Sequence, residues 1–227
     1  MPIYKLLSIL LCYPEQELIN SLPELKTLLN EHTNSAPFEP LLQQLATQDL
    51  IELQENYVQT FDRTPAHSLH LFEHIYGEDR ARGQAMVDLL NEYQQAGFEI
   101  TSDELPDYLP LFLEFLSRVD EQEAKSLLGS AVHVINHISN KLRISDSPYV
   151  AIFDALVQLS PIIPQALVEP PIHDMDEAME KFGPSHDGVE PLLQNSIMNS
   201  LLSSAQAKTS YYQNSCHLDS NSKRESK

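Results

Sequence analysis

Apolar residues recur at helical spacing through most of the first 160 residues, and this spacing limits the fold more than any other feature. In the opening stretch PIYKLLSILL, Ile3, Leu6, Leu7 and Leu10 fall on one side of a helix. No stretch shows convincing alternation of apolar and polar residues, which would mark a half-buried strand. The sequence therefore predicts a single all-α domain of about eight helices over residues 1–160.

Caps, glycines and prolines mark the ends of the predicted helices. The helices are predicted at 2–12, 15–31, 38–47, 50–61, 78–96, 101–119, 121–143 and 147–159. Asp49 is expected to cap the fourth helix, and Gly97 to end the fifth. Ser102 or Asp103 is expected to cap the sixth, with Pro106 in its first turn.

The composition changes after Ser160. The stretch PIIPQALVEPPIH is rich in proline, and residues 199–227 are rich in Ser, Asn and Lys with little apolar periodicity. Such segments lack the apolar residues needed to offset the entropy of ordering. We therefore expect 161–227 to be a largely disordered, mobile tail, with at most one short helix near 174–182.

Acidic residues outnumber basic ones throughout the predicted domain. The chain carries 33 Asp and Glu against 14 Lys and Arg, and residues 1–160 hold 24 against nine, a formal charge of −15. This balance argues against nucleic-acid binding, which needs clustered basic residues, and against an anionic membrane surface. It suits a partner with a basic segment, although an acidic surface that keeps the protein soluble explains the charge equally well.

The sequence also indicates where the protein resides. Its two cysteines, Cys12 and Cys216, form no metal-binding or disulfide pattern, so a reducing cytoplasm is the simplest compartment. Cys12 lies in the apolar run LLCY and is predicted to belong to the core. The sequence contains no run of about 18 apolar residues, the length that a membrane-spanning helix needs.

The stretch HLFEH contains His70, Glu73 and His74 in the H-x-x-E-H pattern of one class of zinc peptidase. If 68–76 were helical, the two histidines would share a face and Glu73 could act as a general base of a zinc-dependent hydrolase. A third protein ligand would still be needed, and no candidate has distinguishing spacing. The alternatives are structural histidines with a helix-capping glutamate, or surface recognition. No other catalytic constellation stands out.

Two longer stretches, SLHLFEHIYGEDRARGQAMVDLL and DELPDYLPLFLEFLS, resemble the NarJ-type chaperones of respiratory nitrate reductase. These belong to the wider TorD/DmsD/NarJ group of redox-enzyme maturation proteins. LSILLCYP near the start and YVQTFD at 57–62 extend the resemblance, which covers roughly 1–160. The Y-x-x-L-F motif of the group appears with Thr60 in place of leucine. The E-x-P-D-H motif appears with Tyr108 in place of histidine.

The resemblance implies a TorD-like, all-helical cytoplasmic chaperone with no catalytic residues and no resident metal. Such a chaperone binds the N-terminal segment of the apo catalytic (alpha) subunit of nitrate reductase. It holds that subunit until bis-molybdopterin guanine dinucleotide and an iron–sulfur cluster are inserted, and it binds neither cofactor stably. The mature enzyme then joins its membrane partner. Whether the chaperone forms a homodimer is left open.

The resemblance also implies a client-binding face built from the matching stretches. Its expected apolar residues are Tyr57, Phe61, Leu69, Phe72, Tyr76, Pro106 and Tyr108, and its expected charges are Glu73, Glu78, Asp79, Glu104 and Asp107. His70 and His74 are expected to tune affinity near neutral pH. Arg80 and Arg82 are expected on the same face, where they either pair with nearby acids or reach a pyrophosphate-bearing cofactor.

Overall fold

The computed structural model describes residues 1–77, 79–100 and 104–167. Within these residues it has nine α-helices and no named strand, which confirms the predicted all-α fold. The helices are α1 (Pro2–Leu11), α2 (Gln16–His32), α3 (Glu39–Thr47), α4 (Leu50–Tyr57), α5 (Glu73–Tyr76), α6 (Ala81–Gln95), α7 (Leu109–Arg118), α8 (Glu121–Ile144) and α9 (Val150–Leu159). Most of the predicted tail, with its short helix near 174–182, lies outside the described residues.

Helix α1 lies at the centre of the fold. It packs against α2, α7 and α9, so that apolar residues on most of its sides are buried, among them Tyr4, Leu7 and Leu11. Full burial of one leucine side chain contributes about 1.5–3 kcal/mol. Ser8 Oγ donates a hydrogen bond to Pro110 O at 2.7 Å, which fixes α1 against the start of α7.

The cap predictions hold at two helix ends. Asp49 Oδ1 accepts a hydrogen bond from Ile51 N at 2.9 Å at the start of α4. Gly97, directly after the C-cap residue of α6, has φ +73°, a left-handed conformation that glycine adopts without strain.

Three predicted helix starts are wrong. The helix expected at 78–96 begins at Ala81. The helix expected at 101–119 begins only at Leu109, so Pro106 precedes it and Pro110 occupies its first turn. The helix expected at 147–159 begins at Val150, after a turn in which Val150 N donates to Ser147 O. Cys12 was also placed wrongly, since it is exposed. Ser102 and Asp103 lie outside the described residues.

A short backbone pairing joins two loops that are far apart in sequence. Leu71 N donates to Asp107 O at 3.1 Å, and Leu109 N donates to Leu69 O at 2.8 Å. This antiparallel bridge, between His70 and Tyr108, replaces the helix considered for 68–76, of which only α5 is helical. The pairing brings the HLFEH and ELPDY stretches together.

Two further segments complete the described fold. The chain continues from α4 into a π-helical turn, Val58–Asp62. After α9, Gln165 N donates to His133 Nδ1 at 2.9 Å, so the segment 161–167 contacts α8. Across the described residues, none of the helices has the length and apolar character needed to cross a membrane.

Candidate binding cleft

The paired loops, the π-helical turn and Tyr13, the second residue after α1, border a cleft of about 580 Å³. It is lined by Tyr13, Tyr57, Phe61, Asp62, Pro65, Ser68, Leu69, His70, Glu73, Gly77, Arg82, Glu104 and Tyr108. Eight of the fifteen residues that the sequence predicted for a binding face are in this lining. The structure therefore brings together stretches that are up to about 90 residues apart in sequence.

A group of aromatic rings forms one wall of the cleft. Tyr57 is buried between Tyr13 and Phe61, with ring centroids 5.5 and 4.9 Å away. Its hydroxyl donates to Leu11 O at 2.8 Å and lies 3.2 Å from the Tyr108 hydroxyl. Because the single Tyr57 proton is used on Leu11, Tyr108 donates to Tyr57. The hydroxyl positions are thereby fixed.

Both hydroxyls are neutral at physiological pH. Burial raises the pKa of Tyr57 far above its ordinary value of 10, and it raises the pKa of Tyr108 to about 12. The wall therefore offers apolar ring surface and neutral hydroxyls, a combination that suits contact with a partly apolar partner.

The buried side chain of Asp107 holds the two loops together. Its side chain is fully buried, Oδ2 accepts from Phe72 N at 3.0 Å, and Oδ1 accepts from His70 Nδ1 at 3.3 Å. The hydrogen bond to Asp107 raises the pKa of His70, against the effect of burial. The His70 ring lies 5.5 Å from that of Tyr108. The expectation that Asp107 offers its charge to a partner was wrong, because the carboxylate has no exposed surface.

Glu73 and Arg82, both in the lining of the cleft, form an ion pair. Arg82 Nη2 lies 3.1 Å from Glu73 Oε1, and Ser68 Oγ donates to Glu73 Oε2. Of the two roles considered for Arg82, pairing with a nearby acid is the one observed. Arg80 is exposed at the start of α6, where Asp79 Oδ1 caps Ala81 N at 2.7 Å.

The remaining predicted residues that the structure describes are not part of the lining. Phe72 and Tyr76 pack edge to face, with centroids 5.6 Å apart, and Pro106 O accepts from the Tyr93 hydroxyl at 2.7 Å. His74 is buried, and its Nε2 donates to Ser68 O at 2.8 Å. A buried His74 cannot contact a partner directly, which corrects the role expected for it. Glu78 lies outside the described residues.

This geometry removes the basis of the zinc-hydrolase hypothesis. That hypothesis required a helix over 68–76 with His70 and His74 on one face. Instead, His70 faces Asp107, His74 faces Ser68, and Glu73 is held by Arg82. Among residues 1–77, 79–100 and 104–167, no group of three or more His, Cys, Asp or Glu is placed to hold a metal ion.

Sequence reasoning missed five residues of the lining: Tyr13, Asp62, Pro65, Ser68 and Gly77. Two of them are exposed and lie in stretches that resemble the family. Tyr13 directly follows Cys12 beyond α1, and Asp62 ends the π-helical turn; both are exposed. Each lies in a stretch that carries the family resemblance, LSILLCYP or YVQTFD. Those stretches could have pointed to them, had all exposed polar and aromatic positions within the resemblance been considered.

Within its described residues, the chain is an all-helical protein with one cleft formed by residues far apart in sequence. Comparison with known proteins adds the family. The family model described as "Nitrate reductase delta subunit" matches residues 15–155, more than half of the chain. The chain belongs to this family, as the sequence resemblance predicted.

Three relatives indicate the character of the family. The nitrate reductase molybdenum cofactor assembly chaperone NarJ of Escherichia coli K12 is 40% identical over 146 residues, which span 64% of this chain and 61% of the relative. The probable chaperone NarW of the same organism is 36% identical over 70% of this chain and 68% of its own length. The probable chaperone NarJ of Bacillus subtilis is 34% identical over 68% and 85%. All three are named as assembly chaperones and none as an enzyme.

Proposed function

We propose that this chain is a system-specific assembly chaperone for respiratory nitrate reductase. It binds the N-terminal segment of the apo catalytic subunit in the cytoplasm. It holds that subunit while bis-molybdopterin guanine dinucleotide and an iron–sulfur cluster are inserted, before membrane docking, and binds neither stably itself. Membership of the nitrate reductase delta subunit family and the names of its relatives, which specify molybdenum cofactor assembly, support this proposal.

The observation that carries the proposal is the chemical character of the cleft. Its volume of about 580 Å³ falls within the range of roughly 300–1,000 Å³ typical of ligand pockets. Its aromatic wall accepts the apolar side chains of an amphipathic segment. Asp62 and Glu104 are exposed, and neither forms an ion pair within the described part of the chain. They are free to attract basic side chains of the client.

Calorimetry tests the proposal directly. The probe is a synthetic peptide of the N-terminal segment of the catalytic subunit encoded with this chain, compared with a scrambled peptide of equal composition. The double variant Asp62→Asn/Glu104→Gln should bind the native peptide more weakly by roughly tenfold, as expected for the loss of two exposed ion pairs. The control Glu17→Gln/Glu31→Gln makes the same charge change at exposed positions on α2 and should bind normally.

Equal binding of native and scrambled peptides, or no binding of either, would contradict the proposal. A cellular measurement checks the assembly step. Cells that produce the Asp62→Asn/Glu104→Gln variant should contain a catalytic subunit with less molybdenum per polypeptide than cells that produce the Glu17→Gln/Glu31→Gln variant. Equal molybdenum content in the two strains would show that the cleft has no part in assembly.

A further inference from the structure

Residues 161–167 form a short strap along helix α8. Ile162 contacts α8 at Gly129, where an added Cβ would lie 2.8 Å from Ile162 Cδ1, so the glycine leaves the space that the isoleucine fills. Further along the strap, Gln165 N donates to His133 Nδ1 at 2.9 Å, and Leu167 packs against the hydrophobic core. Gly129 and His133 are four residues apart, so they share one face of α8.

The hydrogen bond to His133 depends on the protonation state of the imidazole. A backbone N–H can only donate, so His133 Nδ1 must accept, and the single ring proton must be on Nε2. A protonated ring carries N–H groups on both nitrogens and has no acceptor. His133 Nδ1 and Gln165 N would then both be donors, and the hydrogen bond between them would be lost.

The acids around α8 are not placed to hold a protonated His133 against the strap. The strap itself, PIIPQAL, has no titratable side chain. Within the part of the chain that the structure describes, His133 forms no ion pair. On the helices packed against α8, Asp154 of α9 is paired with Arg143, and Glu114 of α7 is paired with Lys5.

The other histidines at α8 have different partners. His137 lies one turn beyond His133, and its ring is 5.9 Å from that of His74 in α5. Burial, and then Lys141, lower the pKa of His137, so its imidazole is neutral at physiological pH. The turn at 65–67, which also packs on α8, contributes His67, whose Nδ1 is bonded to a backbone carbonyl. Of these side chains, His133 is the one that the strap is bonded to.

We propose that the strap is a pH-sensitive device, held on α8 while His133 is neutral and released when His133 is protonated. Because the hydrogen bond requires the neutral ring, the stability of the bound strap is present at alkaline pH and is lost as the pH falls. Residues 168–227 continue from the strap, so its release frees the point from which they leave the fold. The inference concerns α8 and the strap alone and does not rest on the proposed function.

Hydrogen exchange of the full chain measures the strap directly. The exchange rate of the Gln165 amide is compared with that in a synthetic peptide of residues 160–168 at the same pH, which cancels the intrinsic pH dependence of exchange. The ratio of the two rates is the protection. It should be at least about fivefold higher at about pH 8.5 than at about pH 5.5, as expected for one hydrogen bond. Mass spectrometry with fragmentation to single residues separates Gln165 from Ile162 and Ile163.

Substitutions of His133 identify the group that titrates. His133→Asn puts a carbonyl oxygen near the position of Nδ1 and does not titrate, so protection should change by less than about twofold between the two pH values. His133→Leu removes the acceptor, so protection should be low at both. His137→Asn, one turn along α8, is the matched control and should keep the pH dependence of the unsubstituted chain. Thermal melts confirm that each variant is folded.

Each outcome decides the matter. Protection that depends on pH in the unsubstituted chain and in His137→Asn, but in neither His133 variant, supports the proposal. Equal protection at the two pH values in the unsubstituted chain overturns it. A pH dependence that survives in His133→Asn, or that disappears in His137→Asn, also overturns it, because another group would then control the strap. Failure of the client peptide to bind leaves this inference unaffected.

Discussion

Asp107 shapes the cleft without reaching its surface. The carboxylate accepts from Phe72 N and from His70 Nδ1, so one buried charge fixes both the backbone of the HLFEH loop and the orientation of the imidazole. A buried carboxylate is tolerated only when its partners replace the water it has lost. We therefore expect any effect of this residue on binding to act through the position of His70.

The pairing makes the stability that Asp107 contributes depend on pH. The pKa of His70 is raised above its ordinary value of 6.5 in the folded state, chiefly by the hydrogen bond to Asp107. Protonated His70 therefore adds stability that is fully present below the unfolded-state pKa and is lost as pH rises through the raised pKa. Asp107→Asn should lower the free energy of unfolding by about 1–3 kcal/mol, and by more at acidic than at alkaline pH.

Urea unfolding at about pH 5.5 and about pH 8.5 measures this difference on either side of the histidine titration. Glu39→Gln, which breaks the exposed pair with Lys26, is the control and should cost less than about 1 kcal/mol at both pH values. If Asp107→Asn lowered the free energy of unfolding equally at the two pH values, the pKa of His70 would not depend on Asp107.

Tyr13 and Phe72 should respond in opposite ways to truncation. Tyr13 is 42% exposed and lines the cleft, so Tyr13→Ala should weaken peptide binding about tenfold with little change in stability. Phe72 packs on Tyr76 outside the lining, so Phe72→Ala should lower stability by about 2 kcal/mol, less than for a fully buried ring, and leave affinity unchanged. Thermal melts measure the stability of each variant, and peptide titrations measure its affinity. If Phe72→Ala weakened binding and Tyr13→Ala did not, the binding surface would lie on the Phe72 side.

At the scale of elements, the late start of α7 and the absence of a single helix over HLFEH share one cause. Pro106 and Pro110 each suit a helical first turn, and the local sequence favours neither strongly. The choice is made by hydrogen bonds with residues 69–71, nearly 40 positions away, which pair residues 107–109 with the other loop, so that α7 begins only at Leu109. The same bonds keep HLFEH from being one helix. Helices with local signals, such as the Asp49 cap, could be predicted, whereas loops fixed by distant partners could not.

The π-helical turn Val58–Asp62 shows a finer limit of prediction. The sequence predicted a helix ending near residue 61, and the end is nearly right. The wider turn has no local sequence signal, and its Phe61 packs against Tyr57 and the distant Tyr149. Such turns are rare and frequently mark functional sites. Here the turn contributes Phe61 and Asp62 to the cleft.

Two helical glycines test how firmly the segment 161–167 is held. A Cβ added at Gly129 would lie 2.8 Å from Ile162 Cδ1, whereas one at Gly83 would meet nothing within 4 Å. Alanine favours a helix interior over glycine by up to about 1 kcal/mol. Gly83→Ala should therefore raise the melting temperature slightly. Gly129→Ala should displace Ile162 and speed amide exchange over 161–167 without lowering the melting temperature.

Hydrogen exchange followed by mass spectrometry, with thermal melts alongside, measures both effects. Gly83→Ala should leave exchange in 161–167 unchanged, which makes it the control. A fall of several degrees in the melting temperature of Gly129→Ala would mean that the Ile162 contact is a substantial part of the fold's stability.

At the scale of the whole molecule, the net negative charge and the cleft residues are expected to attract a basic segment over different distances. Residues 1–160 carry a formal charge of −15, and this field attracts a basic segment before contact. Asp62 and Glu104 act only at contact, because each exposed pair is short-ranged at physiological salt. The aromatic wall acts at contact too, and its contribution does not depend on ionic strength in the same way.

Salt separates these contributions. The Debye length is about 10 Å at 0.1 M salt and about 3 Å at 1 M, so affinity for the native peptide should fall by roughly tenfold between about 0.05 M and about 1 M salt. It should not vanish, because the contact with Tyr13, Tyr57 and Tyr108 persists. Asp62→Asn/Glu104→Gln should flatten the dependence more than Glu17→Gln/Glu31→Gln, although both remove two charges. If the two double variants had equal slopes, the attraction would belong to the field of the whole molecule and the two carboxylates of the cleft would not be its contact points.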